Sequence, residues 1–113
     1  MKLNHLNLTV TDVPATRRLF ETYFGLTGME GGGSETFDAV FDDGSVITLM
    51  TGAGASYPKT FHVGFIQESE ERVDEINRRL KGDGFDVKLP KWFHGALTFY
   101  FRAPGGFIIE VLC

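Results

Sequence analysis

Asn4-His5-Leu6-Asn7-Leu8-Thr9-Val10 has a counterpart fifty-seven residues later, Phe61-His62-Val63-Gly64-Phe65-Ile66. Each reads as a strand carrying one histidine. Successive side chains of a strand point to opposite faces, so Leu6, Leu8 and Val10 oppose His5, Asn7 and Thr9, and Phe61, Val63 and Phe65 oppose His62 and Gly64. Both histidines fall on the less apolar face. Seven residues after each histidine stands a helix N-cap type, Asp12 or Ser69, and thirteen residues beyond each cap stands a glycine suited to end a helix, Gly25 or Gly82. The chain therefore reads as a duplicated unit, each copy opening with a histidine.

Outward from these stretches the pattern predicts βαβββ twice. In the first copy a strand spans about Leu3 to Val10 and a helix Ala15 to about Phe24, with Pro14 in its first turn and Leu19, Phe20, Tyr23 and Phe24 as its apolar stripe. Strands follow at about Leu26 to Glu30, Glu35 to Phe41 and Ser45 to Met50, separated by Gly31-Gly32-Gly33-Ser34 and by the hairpin signal Asp42-Asp43-Gly44. A Gly- and Pro-containing connector covers 52–59. The second copy predicts a strand from about Thr60 to Ile66, then a helix capped by Ser69 with Val73, Ile76 and Leu80 inward. Strands at Phe85 to Leu89, Ala96 to Phe101 and Phe107 to Leu112 complete it, with a loop around Pro90 to Gly95. Laid over each other, Gly106-Phe107-Ile108-Ile109-Glu110-Val111 covers Gly44-Ser45-Val46-Ile47-Thr48-Leu49, which matches Glu110 with Thr48.

At 113 residues the expected organisation is a single domain, 1–113, with module one at about 1–51 and module two at about 60–113. Eleven phenylalanines and 42% hydrophobic residues suit a packed core. A net charge of −4 with scattered Lys and Arg argues against nucleic acid or an anionic membrane as partner and favours small molecules or proteins. Cys113 is the single cysteine, and neither a leader nor an apolar span near twenty residues is legible, so a cytoplasmic protein is expected.

Glu110 stands between Ile109 and Val111 in a nearly all-apolar strand, where an unpartnered carboxylate is costly. Two imidazoles and one carboxylate, His5, His62 and Glu110, are the donor set of a divalent metal with open positions. The plainer readings are a packed or hydrogen-bonded histidine at each position, and a Glu110 paired with Arg17 or Arg102. The repeat-equivalent placement of the two histidines favours the ligand reading.

The duplicated βαβββ pattern, the opening Asn4-His5-Leu6 with Asp12 and Pro14, the segment Phe61-His62-Val63-Gly64-Phe65, and the ending from Phe99-Tyr100-Phe101-Arg102 through Pro104-Gly105-Gly106 to Glu110 resemble the vicinal oxygen chelate (VOC) superfamily. That superfamily contains glyoxalase I, bleomycin resistance proteins, extradiol dioxygenases, methylmalonyl-CoA epimerases and fosfomycin resistance enzymes. The resemblance covers essentially the whole chain and implies an α+β fold of tandem βαβββ modules, forming a cupped mixed sheet with helices on its outer face. Carried over residue by residue, it implies metal ligands at His5, Thr48, His62 and Glu110. Thr48 departs from the carboxylate usual in glyoxalase I and the epimerases, leaving a His5, His62, Glu110 triad that resembles those of the extradiol dioxygenases and of the fosfomycin resistance enzymes. Iron(II) or manganese(II) suits this triad, with zinc(II) also compatible.

Tyr100, Ala103, Pro104 and Glu110 fit the dioxygenase signature, which also implies a histidine before the tyrosine; His94 falls about one residue too close. Tyr100 is thus expected to reach a substrate oxygen, or else to be an interior tyrosine bonded to backbone, and His94 to act as acid or base, or as a plain loop residue. The basic region that follows the last ligand strand in fosfomycin resistance enzymes has no counterpart in the three residues after Glu110. The implied function is metal-dependent action on a small molecule with vicinal oxygens, dioxygenase-like or lyase/isomerase-like, by a homodimer. The competing implication is a metal-free bleomycin-resistance-type drug binder, with Phe37, Phe41, Trp92, Phe93 and Tyr100 lining an aromatic groove.

Overall fold

The computed structural model describes residues 1–52 and 54–113. Ten elements run in the order β1 (Leu6–Val10), α1 (Val13–Phe24), β2 (Thr27–Gly28), β3 (Phe37–Asp42), β4 (Ser45–Thr51), β5 (His62–Ile66), α2 (Glu70–Gly82), β6 (Lys91–Phe93), β7 (Ala96–Arg102) and β8 (Ile108–Leu112). They fall into two compact units, residues 1–56 with 103–106, and residues 57–102 with 107–113. The connector expected at 52–59 includes Ala53, which lies outside the described residues.

Each unit is one four-stranded mixed sheet with one helix, and the strand orders, β1-β4-β3-β2 and β5-β8-β7-β6, are the same permutation. In both, the opening strand runs parallel to the closing one and the rest pair antiparallel. The expected α+β fold of duplicated βαβββ modules is what the chain forms.

In the first unit Asp12 caps α1 by accepting from the Ala15 amide at 3.0 Å, and Gly25 ends it in the left-handed conformation, as the residue types dictate. Val13, Thr16, Leu19, Phe20 and Tyr23 of α1 are buried, as are Leu8 and Val10 of β1 and Val40 and Leu49 of the neighbouring strands. A second tie is ionic: Arg17 donates to both carboxylate oxygens of Asp38 on β3, at 2.8 and 3.0 Å, and to the Met29 carbonyl. The Asp38 hydrogen bond holds the Arg17 guanidinium even more firmly protonated than usual. Gly28 and Gly33 make room for this pair, because a Cβ on either would collide with Arg17 or Asp38. Arg17 is thereby committed to Asp38, which removes it as the partner considered for Glu110.

In the second unit Ser69 caps α2 by accepting from the Arg72 amide, and Val73, Ile76 and Leu80 are fully buried. Leu97, Phe99 and Phe101 of β7 and Ile109 and Val111 of β8 complete this core.

One strand differs from the expectation. Among the described residues, 85–89 form no strand, and β6 lies instead within the segment read as a loop. Phe93 pairs with Ala96, so the connection is the two-residue turn His94-Gly95, with φ of 51° and 79°. Positive φ at both central residues is the turn whose twist matches a hairpin. Lys88 meanwhile gives its carbonyl to the Asn77 side chain of α2, and Pro90 has no amide to donate, so the segment before Lys91 is held by the helix and not by a ladder. The strand expected at Leu26 to Glu30 shortens to β2, whose two residues pair with Val40 and Phe41.

Candidate functional site

The site is built most completely in the second unit. In β5 to β8 pairing, Gly64 stands opposite Glu110, and in β1 to β4 pairing Asn7 stands opposite Thr48. The register therefore equates Glu110 with Thr48 and, two residues upstream on the opening strands, His62 with His5, as the sequence repeat predicts.

His62, Gly64, Tyr100 and Glu110 share the face of their sheet opposite α2, because Val63, Phe99, Ile109 and Val111 alternate with them toward the helix side. His62 Nδ1 lies 2.9 Å from the Thr60 carbonyl, which can only accept, so Nδ1 carries the proton and Nε2 is presented outward. Nε2 is 3.4 Å from Glu110 Oε1. The other carboxylate oxygen, Oε2, accepts from the Thr98 hydroxyl at 3.0 Å. Tyr100 packs edge-on to the His62 ring, with centroids 5.7 Å apart. Its phenol pKa is raised, first by desolvation and then by the hydrogen bond to Glu110 and that group's charge. Tyr100 therefore keeps its proton throughout the neutral range.

A neutral imidazole nitrogen and a carboxylate oxygen repel at 3.4 Å unless something positive lies between them. A proton on Nε2 satisfies this, and so does a divalent ion, since two donors each about 2.0–2.2 Å from one ion stand roughly 3 Å apart. The committed Nδ1 is what a metal-binding histidine requires. His62 and Glu110 thus fit as two ligands of one ion. Among the described residues, no group of three His, Cys, Asp or Glu side chains gathers into one cluster.

His5, in the first unit, lies one residue before β1, and its Nδ1 bonds Asn4 Oδ1 at 2.9 Å, which leaves Nε2 free in the same manner. Thr48 donates to Asn7 Oδ1 at 2.7 Å, so the hydroxyl matching Glu110 is used within its own sheet. His94 occupies the tip of the β6–β7 hairpin with its ring against Phe93 at 4.0 Å. Of the aromatic groove residues, Phe37 and Phe41 lie exposed on the open face of the first sheet. Phe93 and Tyr100 do so on the second, while Trp92 sits opposite Leu97 on the other side.

Sequence reasoning missed Thr98 as a partner of Glu110. Alternation along β7 puts Thr98 on the face of Tyr100, and because Thr98 pairs with Leu112 and Tyr100 with Glu110, this register makes Thr98 a diagonal neighbour of the carboxylate.

The family model described as the Glyoxalase/Bleomycin resistance protein/Dioxygenase superfamily matches residues 2–111. Among solved structures, a possible glyoxalase from Bacillus cereus is 58% identical, covering 100% of this chain and 99% of its own, with a TM-score of 0.91. A lactoylglutathione lyase from Agrobacterium tumefaciens is 20% identical over 98% of this chain and 92% of its own, with a TM-score of 0.75. A glyoxalase/bleomycin resistance protein/dioxygenase family enzyme from Burkholderia phytofirmans is 15% identical over 99% and 98%, with a TM-score of 0.83. These last two share the fold. No curated protein matches the chain.

Proposed function

Because the chain belongs to the glyoxalase/bleomycin resistance protein/dioxygenase superfamily, we propose that it acts on a small molecule bearing two adjacent oxygens, with His62, Glu110 and His5 holding a divalent ion. The observation that carries this reading is His62 itself. Its Nδ1 is committed to the Thr60 carbonyl, and its Nε2 faces a carboxylate oxygen at 3.4 Å. His5, from the same chain or from a second copy, completes the triad with its own outward Nε2. Iron(II) or manganese(II) suits two imidazoles and a carboxylate, and zinc(II) is compatible.

Such an ion supplies Lewis acidity toward the two oxygens of the substrate. The chain's own residues do the rest. Tyr100 keeps its proton, held against Glu110 in the free protein, and turns that hydrogen bond to a substrate oxygen when substrate binds. Gly64 lies beside Glu110 Oε1, where a Cβ would come into van der Waals contact at 3.8 Å, so the glycine keeps that side of the carboxylate clear of a side chain. His94 is the second candidate for proton transfer, carried on the hairpin tip. The reaction is dioxygenase-like or lyase/isomerase-like, and the setting is cytoplasmic, in keeping with the free thiol of Cys113.

Elemental analysis of freshly purified protein tests the site. About one iron, manganese or zinc per chain is expected, and both His5→Ala and Glu110→Gln should lose it while circular dichroism stays unchanged. Full metal content in Glu110→Gln would refute the triad. No uptake by the wild type after incubation with these ions favours a second reading, a metal-free binder of hydrophobic drugs. The exposed Phe37, Phe41, Phe93 and Tyr100 support that alternative.

A further inference from the structure

We propose that Thr98 is a positioning residue that fixes which oxygen of Glu110 is offered to the ion, an inference that rests on the metal reading above. Thr98 lies on β7 between Leu97 and Phe99 and is 1% exposed. A hydroxyl so deeply buried requires a partner. It has two acceptors, Glu110 Oε2 at 3.0 Å and the Val111 carbonyl at 3.1 Å, and one hydrogen to give. An ionised carboxylate is the stronger acceptor, so the hydrogen goes to Oε2, with the carbonyl as its alternative. The hydroxyl is satisfied either way.

The consequence falls on Glu110. The terminal torsion of a glutamate is broad and roughly two-fold, so an untied carboxylate exchanges its oxygens and holds neither in place for a cation. With Oε2 tied to Thr98, Oε1 alone remains beside His62 Nε2. Glu110 then serves as a one-oxygen ligand and leaves coordination positions for substrate.

The duplication provides an internal control. Thr98 pairs with Leu112 as Phe37 pairs with Met50, so Phe37 is the counterpart of Thr98 in the first sheet. The copy that has a carboxylate at the last-strand position has the hydroxyl beside it, and the copy that has Thr48 there has neither.

Calorimetric titration of the metal-free 113-residue chain with Mn2+ tests the proposal, on wild type, Thr98→Val and Thr98→Ser. Valine keeps the shape without the hydroxyl, and serine keeps the hydroxyl. Thr98→Val is expected to bind Mn2+ about ten- to a hundred-fold more weakly, and Thr98→Ser within about threefold of wild type. The visible spectrum of the Co2+-loaded protein should change in Thr98→Val and be restored in Thr98→Ser, a pattern that altered packing alone does not produce. If Thr98→Val does not fold, Thr98→Ala makes the same comparison. Wild-type affinity and spectrum in the hydroxyl-free variant would overturn the role of Thr98 and leave the metal site standing. Failure of the wild type to bind Mn2+ or Co2+ would overturn both.

Discussion

Glu110 illustrates how single residues acquire function from what surrounds them. In an apolar strand the carboxylate is a liability, and here it is offset by the hydroxyls of Thr98 and Tyr100 and by the imidazole of His62. Tyr100 feels the same charge. Its folded-state pKa lies above the ordinary tyrosine value near 10, chiefly through desolvation and then through Glu110. The folded state thus binds this proton more tightly than the unfolded chain does. The resulting stability is fully present below the unfolded pKa and is lost as pH rises through the folded one. Urea denaturation between about pH 8 and 11 should show stability falling at the alkaline end, with a shallower fall in Tyr100→Phe. An identical alkaline slope in both proteins would show that Tyr100 is not the group responsible.

Among the elements, β6 shows how a two-residue turn decides a strand. His94 and Gly95 both adopt positive φ, which sets Phe93 opposite Ala96 and fixes the pairing of the whole hairpin. Histidine tolerates this conformation, asparagine tolerates it better, and a β-branched residue does not. His94→Asn should therefore leave the denaturation midpoint near wild type, whereas His94→Val should cost about 1–2 kcal/mol. The pair also separates the two roles of His94. Activity lost in His94→Asn at unchanged stability belongs to the imidazole, and activity lost only in His94→Val belongs to the turn.

At the level of the whole chain, each sheet carries a helix on one face only. The other face exposes Phe37, Phe41 and Met50 in the first unit, and Ile66, Phe93 and Tyr100 in the second. Exposed apolar residues concentrated on one sheet face are a feature of interaction surfaces. We propose that the chain pairs as a homodimer. Light scattering should give twice the 12.6 kDa of one chain, and the mass of a single chain at micromolar concentration would rule the dimer out. No helix among the described residues is long and apolar enough to cross a membrane.

The local rules were legible in the chain. Alternation assigned the faces of β1 and β5, Asp12 and Ser69 announced the two helices, and the fifty-seven-residue echo revealed the duplication. These signals are written by backbone geometry and burial over a few neighbouring residues, and no distant partner is needed to read them. Pairing between distant strands decided the rest. Lys91–Phe93 became a strand in place of 85–89 because β7 offered it an edge at the register the turn allowed, and Arg17 went to Asp38, not to Glu110. Thr98 met the carboxylate because antiparallel pairing set residues 98 and 110 diagonally across one face. A one-residue slip would have turned that hydroxyl away. The residues proposed to carry the chemistry were visible in the sequence, and which of them touch was decided by strand register.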